Sequence, residues 1–312
     1  MQAVINVVLP VFGIILAGYV TGRAGLLGED SSRALNGFVF YVALPALFFI
    51  SMARVDLSDP NLVPYMIAVG GGMVTTFVLA VAIAKPVLKY GLGEVTMHGL
   101  SGVFANTGYM GIPLLLTAYG SEALLPGVIA TVFNGAVVIG LGSAIMEINK
   151  SASRQLWPVV KRAWRGLSRN PLVLSAVAGL IRGILSLPLP APLLTFCELL
   201  ADAVGPCALF AMGLFLVGRS VTRGALEVAW LTVLKLLIHP AITFVIAFWW
   251  LDLDPFWAAC AVILAALPLG ALTFVLAQQY QVYVQRAAAA ILISTVVSVA
   301  TLSALMAYLG VQ

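Results

Sequence analysis

The chain has 312 residues, of which 62% are hydrophobic and only 9% are charged, and its formal net charge is +4. Because a soluble domain carries roughly 25% charged residues, this composition excludes an ordinary soluble fold and indicates a protein that lipid surrounds. The basic residues lie mostly in short loops between apolar stretches, which argues against nucleic-acid binding. The 3 cysteines lie in apolar stretches without the spacing of metal ligands, so we expect no metal site and no cofactor.

Ten apolar stretches follow one another along the chain, and each is close to the length of about 20 residues that a bilayer-crossing helix needs. The first stretch lacks the basic start and the small-residue cleavage site of a signal peptide, so we interpret it as a retained span. The sequence therefore predicts an all-α polytopic membrane protein. The predicted spans are 3–22, 34–53, 63–84, 97–118, 124–146, 170–187, 194–217, 228–251, 256–278 and 287–309.

A polar interval at 149–169 separates the first five predicted spans from the last five. We expect 1–148 to form the first five-helix repeat, 149–169 to form a basic loop and 170–312 to form the second repeat. Because each half has an odd number of spans, the second half must be inverted in the membrane relative to the first. Inverted repeats recur in secondary transporters, with the binding site at mid-membrane between the repeats.

A weak internal similarity supports two repeats. Pro45 in the second span and Pro206 in the seventh lie 161 positions apart, and small and aromatic residues follow each of them. The same offset relates Asn134 in the fifth span to Thr295 in the tenth. Equivalent positions in both halves are therefore expected to line one central site.

The charges of the loops predict the orientation of the chain. Lysine and arginine are concentrated in the cytoplasmic loops of membrane proteins. Only Arg54 lies on one side of the predicted spans, together with most of the acidic loop residues. We therefore expect a protein of the cell membrane with both termini outside and the central basic loop in the cytoplasm. The opposite, basic side carries Arg23, Arg33, Lys85, Lys89, Lys150, Arg154, Lys161, Arg162, Arg165, Arg169, Arg219, Arg223 and Arg286.

The fourth span contains a segment, 106–113, with the sequence NTGYMGIP, that is a poor continuous helix. Each of its glycines costs about 1 kcal/mol relative to alanine, and its proline removes a backbone hydrogen bond. Backbone groups that such a break frees at membrane depth must be satisfied by protein or by a water-filled cavity. The alternative is a proline kink that only shapes packing.

The ninth span contains a comparable segment, 265–273, with the sequence AALPLGALT. Pro113 and Pro268 lie 155 positions apart, so the two segments match in region but not residue by residue. Broken helices present unpaired N–H groups and a positive dipole end, which attract anions. We therefore expect a carboxylate to bind between the two breaks, at Asn106, Thr107, Gly108, Tyr109, Gly111, Pro113 and Pro268, with Asn134, Thr295 and Ser298 also lining the cavity.

The run GVFANTGYMGIPL in the fourth span and LKLLIHPAI in the eighth span resemble the auxin efflux carrier family, which includes bacterial malonate transporters and plant PIN carriers. The resemblance extends over essentially the whole chain. It implies ten helices in two inverted five-helix repeats, with helices 4 and 9 broken and crossing, similar to sodium–proton antiporters and bile-acid symporters. It also implies a carboxylate-bearing substrate and suggests a homodimer, although no residue pattern establishes one.

Ionisable residues inside predicted spans are costly and are usually functional or paired. Lys235 and His239 lie four residues apart in the eighth span and therefore share one helix face. We predict that they, with Asp202, contribute to charge or coupling near the anion. The alternative is a structural ion pair between Lys235 and an acid such as Glu147, Glu198 or Asp202.

These patterns together favour a secondary transporter that moves a small organic anion, such as malonate or an auxin-like carboxylate, by alternating access. The scarcity of acids in the spans favours a coupling proton or uncoupled movement over coupling to sodium. Three alternatives stay open: a sodium-coupled symporter of the bile-acid type, a channel, and an intramembrane serine protease. The protease would use Ser101 of a GLSG string and His239, but we expect no enzyme activity, because nothing else pairs these residues.

Overall fold

A computed structural model describes residues 7–54, 58–136, 142, 145–146, 161, 164–165, 168–218 and 224–311. All regular elements in this part of the chain are helices, and the one β-type contact recorded there is an isolated antiparallel bridge between Ala105 and Leu269. Most of the predicted basic loop at 149–169 lies outside the described residues, as do Glu147, Arg219 and Arg223.

The described chain forms helices that fall within or close to the predicted apolar stretches. Several of them contain a π-helical turn, which is counted here as part of the longer helix. In chain order the helices are α1 (Leu9–Arg23), α2 (Glu29–Ala53), α3 (Leu62–Leu88), α4 (Leu92–Val103), α5 (Ile112–Tyr119), α6 (Leu124–Ala136), α7 (Pro171–Ile184), α8 (Ala191–Leu216), α9 (Ala225–Trp250), α10 (Pro255–Ala265), α11 (Leu272–Tyr280) and α12 (Val284–Tyr308).

The lengths and composition of these helices are those of a multi-pass membrane protein, as the sequence predicts. Six segments of the described residues are long and apolar enough to cross a membrane. The helices α1, α7 and α10 are apolar but shorter. The six long segments are Glu29–Ala53, Leu62–Pro86, Thr107–Gly135, Ala191–Leu216, Ala225–Trp250 and Val284–Tyr308.

Two of the prolines inside the long helices follow π-helical turns. In α2 the π turn Val39–Ala43 precedes Pro45, and in α9 the π turn Leu234–Ile238 precedes Pro240. A π turn shifts the hydrogen-bond register by one residue, so the chain accommodates a residue that has no N–H to donate. Both helices therefore continue through their prolines.

The helices pack as two bundles, and each bundle takes helices from both halves of the chain. In the first bundle α1 packs against the second part of α8, Val204–Leu216, while α2 packs against α7 and the first part of α8. In the second bundle α3 packs against α4 and α9, and α9 also packs against α10 and α12. The bundles meet where α8 packs against the segment Thr107–Gly111 that follows α4, and where the Tyr109 hydroxyl donates to the Asn36 carbonyl of α2 at 3.4 Å.

Close contact between α1 and α8 depends on two glycines. A Cβ atom on Gly18 would lie against the carbonyl oxygen of Phe210 and 3.2 Å from the Cα atom of Gly213. A Cβ atom on Gly213 would lie 2.7 Å from the backbone nitrogen of Tyr19. Small residues allow this approach of two helix backbones, which is a common basis of helix association in membranes.

We expect Gly18→Ala to lower the free energy of unfolding by roughly 1–3 kcal/mol, because the added methyl group must push α8 away from α1. The melting temperature of the detergent-solubilised protein measures the effect. Gly13→Ala is the matched control on the same helix, because nothing lies within 4 Å of its added Cβ atom. Alanine is favoured over glycine in helices, so this control should keep or raise the melting temperature. Equal losses in both variants would contradict the packing argument.

Candidate functional site

The first helix break lies between α4 and α5. Helix α4 ends at Val103, residues 104–106 are not helical, and a π turn, Thr107–Gly111, leads into α5. The break is thus centred slightly before the Gly/Pro segment that predicts it. Pro113 lies two residues after this π turn, as Pro45 and Pro240 do after theirs, and the shifted hydrogen-bond register accommodates a residue that has no N–H to donate. A Cβ atom on Gly111 would lie 2.6 Å from both Leu264 and Leu267, so this glycine allows the two breaks to approach.

The second break, residues 266–271 between α10 and α11, contains Pro268. It lies antiparallel to the first break and pairs with it through the backbone. The Asn106 N–H donates to the Pro268 carbonyl at 3.0 Å, and the Gly270 N–H donates to the Phe104 carbonyl at 3.2 Å. Each break therefore supplies hydrogen-bond partners that the other has lost by leaving the helical conformation.

Side chains of three other helices satisfy further backbone groups at the breaks. Asn134 of α6 accepts from the Ala105 N–H at 3.3 Å, and Ser294 of α12 accepts from the Leu269 N–H at 3.1 Å. On α9, the Lys235 ammonium nitrogen donates to the carbonyl oxygen of Ala265, the last residue of α10, at 2.5 Å. These contacts meet the requirement that non-helical backbone at membrane depth be buried in protein or wet.

Lys235 has 1% of its surface exposed, and besides the Ala265 carbonyl it contacts His239 Nδ1 at 3.3 Å. A cation at the carboxyl end of a helix interacts favourably with the helix dipole, and α10 ends at this point. The acids named as ion-pair partners lie elsewhere: Glu198 pairs with Arg54 at 2.8 Å, and Asp202 is exposed. Among the described residues the partner of Lys235 is thus a backbone carbonyl and not the expected carboxylate.

A cavity of about 850 Å³ lies beside the first break, between the two bundles. Of the predicted binding residues, Asn106, Thr107, Gly108 and Tyr109 line it. It extends to the turn between α1 and α2 and to the start of α7. Within the described chain, the other predicted residues do not border this cavity: Gly111, Pro113, Pro268, Asn134, Thr295, Ser298, Lys235, His239 and Asp202.

The wall of the cavity is mainly apolar and aromatic, with contributions from Phe40, Phe104, Phe215 and Phe274. Arg33 is the one cationic side chain among the described lining residues. The Arg33 side chain is 72% exposed, and its guanidinium is paired with acids of its own helix, with Glu29 at 3.2 Å. The interior of the cavity therefore offers hydrogen-bond donors and aromatic surface more than it offers free positive side chains.

Asn106 is the polar side chain at the centre of this geometry. Its amide nitrogen donates to the sulfur of Met212 on α8 at 2.9 Å. A thioether is a weak acceptor, so a carboxylate oxygen would be a much better partner for the same donor. The helix that begins at Thr107 also starts here, and the first N–H groups of a helix have no partner within it.

The predicted binding residues Thr295 and Ser298 form hydrogen bonds within their own helix. Thr295 donates to the Ile291 carbonyl at 2.6 Å, and Ser298 donates to the Thr295 carbonyl at 2.8 Å. Ser101 of the protease alternative is buried, and its hydroxyl has no hydrogen-bond partner within the described residues, His239 included. The arrangement offers no activated serine nucleophile of the kind that an adjacent base provides.

Several residues at this site and near it are not identified by the sequence patterns. Ser294 and Met212 are single residues in ordinary apolar helices, and no local signal distinguishes them. His98 is fully buried, and no pattern in the sequence distinguishes it. It contacts Glu227 at 3.2 Å, and Glu227 lies at a helix start, where an acid is usual.

Comparison with known proteins gives whole-chain matches. The family described as "Membrane transport protein" matches residues 3–306. A protein of Rhizobium meliloti named "Putative malonate transporter" is 35% identical over 98% of this chain and 96% of its own length. An "Uncharacterized transporter" of Methanothermobacter thermautotrophicus is 28% identical over 95% of both chains. The "Auxin efflux carrier component 1" of Arabidopsis thaliana is 31% identical over 38% of this chain and 20% of its own.

We expect Ser294→Ala to lower the free energy of unfolding by roughly 1–3 kcal/mol, because it leaves the buried Leu269 N–H without an acceptor. Ser298→Ala is the matched control, because Ser298 lies one turn further along α12, is equally buried and bonds only to its own helix. Thermal unfolding of both variants in the same detergent makes the comparison. A larger loss in Ser298→Ala would show that Ser294 does not hold the second break.

Proposed function

The chain belongs to the membrane transport protein family, the auxin efflux carrier family that its sequence resembles, and we propose on this premise that it is a secondary transporter of a small organic anion. It moves the anion across the cytoplasmic membrane by alternating access. The observation that carries this proposal is the cavity that borders Asn106 and the helix start at Thr107. Both features favour a bound carboxylate.

The proposed architecture has ten membrane-spanning helices in two inverted repeats of five, with the fourth and ninth spans broken and crossing. The backbone pairing of 104–106 with 268–270 supports it, because it joins corresponding regions of the two halves. In the proposed orientation both termini lie outside and the central basic loop is cytoplasmic. The cavity extends towards Arg33, so this conformation is open to the cytoplasm.

The lining supports a carboxylate with one negative charge and an apolar body more than it supports a short dicarboxylate. Aromatic side chains would contact the apolar body, and Asn106 with the helix start would hold the carboxylate. A dicarboxylate such as malonate would bring a second charge into a wall whose one described cation is paired with Glu29. Malonate stays in the test because of the name of the Rhizobium relative.

Movement of one bundle relative to the other would produce alternating access. The cavity lies between the bundles, with Asn106 on one side and Met212 on the other. Lys235 adds positive potential behind the breaks without bordering the cavity. Because few acids lie near the breaks, a coupling proton or uncoupled movement is favoured over a sodium ion, which prefers several oxygen ligands. His239 beside Lys235 is the proposed partner for a proton, whereas Asp202 is exposed.

The proposal predicts saturable uptake of labelled indole acetate by proteoliposomes that contain the purified protein. We expect a lower KM for indole acetate than for malonate, because the aromatic wall has more area in contact with the larger acid. Imposing pH, sodium and voltage gradients in turn identifies the driving ion. An absence of flux for both acids under every gradient would reject the substrate class and leave the fold untouched.

Asn106→Ala should reduce kcat/KM for the transported acid about tenfold, which corresponds to the loss of roughly 1.4 kcal/mol of interaction. Pro113→Ala should also reduce transport, because it changes the π turn, Thr107–Gly111, that follows the first break. The matched controls are Asn61→Ala, in the turn before α3, and Pro45→Ala, in the continuous α2. If the two control variants lost as much kcat/KM as the two site variants, at equal levels of inserted protein, the proposed site would be wrong.

A further inference from the structure

A second buried polar cluster is centred on Glu227, in the first turn of α9. Its carboxylate accepts from Tyr90 at 2.7 Å, from Arg286 Nε at 2.8 Å and from the Tyr283 hydroxyl. His98 Nδ1 lies 3.2 Å from the same carboxylate. The Glu227 side chain is 8% exposed and His98 is fully buried. One carboxylate is thus held by three donor groups, with His98 Nδ1 also in contact with the Tyr283 hydroxyl at 2.9 Å, and it is shielded from solvent.

The four partners of Glu227 come from separate parts of the chain. Tyr90 lies in the turn between α3 and α4, and His98 lies in α4. Tyr283 immediately precedes α12, and Arg286 lies in the first turn of α12. The Arg286 guanidinium carbon also lies 5.3 Å from the ring centres of both tyrosines. The cluster therefore ties the starts of α4, α9 and α12 to one another.

Two features indicate that the cluster fixes a specific geometry. Tyr283 has a φ of 67°, a left-handed conformation that non-glycine residues rarely adopt, and its hydroxyl is held by Glu227. Burial, together with the hydrogen bond to Glu227, raises the pKa of both Tyr90 and Tyr283, so both phenols stay protonated and donate. A strained residue persists only where its surroundings determine its conformation.

The three helices that leave the cluster are those that lead to the two breaks. Helix α4 runs directly into the first break. Helix α9 carries Lys235, which contacts the end of α10, and α12 carries Ser294, which bonds the second break. None of the five cluster residues is among the residues that line the cavity. The cluster is therefore connected to the site through rigid helices and not through contact with a ligand.

We propose that Glu227 is a positioning residue for transport, which holds α4, α9 and α12 together so that both breaks move as one body. The inference rests on the proposed transport function and adds a role outside the cavity. Loss of the carboxylate would let the three helix starts move independently of one another. The two breaks would then change conformation together less often. The rate of the transport cycle falls as a result, while the affinity for substrate is retained.

The test is uptake kinetics of Glu227→Gln in proteoliposomes, with labelled indole acetate as the transported acid. We expect the maximal rate to fall roughly tenfold, equivalent to about 1.4 kcal/mol in the barrier, with KM changed by less than about twofold. Glu122→Gln is the matched control, because Glu122 is exposed in the turn between α5 and α6. An unchanged maximal rate, or a rise in KM alone, would overturn the proposal.

A milder variant covers the case in which Glu227→Gln does not fold. Tyr90→Phe keeps the aromatic ring and removes one of the three donors, so the maximal rate should fall by a smaller factor, roughly threefold. A maximal rate equal to that of the wild-type protein in this variant would also count against the role of the cluster.

Hydrogen exchange of the purified protein separates this proposal from the transport function itself. In either variant, exchange should rise together in Leu92–Val103, in Ala225–Val233 and at the start of Val284–Tyr308. If the wild-type protein carries no acid, the transport proposal fails, and exchange alone then decides whether Glu227 joins the three helices. Increased exchange in α9 alone, or in none of the three, would refute the joint positioning.

Discussion

Backbone N–H and C=O groups at the two helix breaks must be hydrogen-bonded inside the protein, because lipid supplies no partners for them. The chain meets this constraint by laying the breaks side by side, so that Asn106 and Gly270 donate to carbonyls of the opposite break. Asn134, Ser294 and Lys235 form hydrogen bonds with backbone groups at the breaks that this pairing does not satisfy. Helices α6, α9 and α12 bring these side chains to the breaks.

This constraint divides the polar residues of the site into two groups. Asn134, Ser294 and Lys235 do not border the cavity, and each is bonded to a backbone partner. Asn106 lies on the cavity side and donates to a sulfur atom, which is a partner of low value. A buried donor with a strong partner would have to lose that partner before it could bind a ligand. Of these four residues, Asn106 is therefore the one whose N–H donor can exchange its present acceptor for a carboxylate at the lowest cost.

The sequence predicts the membrane class, the helical intervals and the regions of both breaks, because these depend on local composition and on the conformational limits of glycine and proline. It does not predict which atoms satisfy the breaks. The partner of Lys235 is a backbone carbonyl, and every residue has one, so a search for an acid partner leads to Glu198 or Asp202 instead. Glu227 and His98 lie far apart in the chain and become recognisable only when folding joins them.

The contact between Asn106 and Met212 crosses from one bundle to the other, which connects ligand binding with movement under the proposed function. A carboxylate that accepts the hydrogen bond of Asn106 removes the contact between Asn106 and Met212, which joins the bundles. The new contact between Asn106 and the carboxylate lies within the bundle that contains the breaks. A ligand shifts a conformational equilibrium only as far as its affinities for the two states differ. Exchange of a sulfur acceptor for a charged oxygen supplies such a difference at the boundary where the bundles must separate.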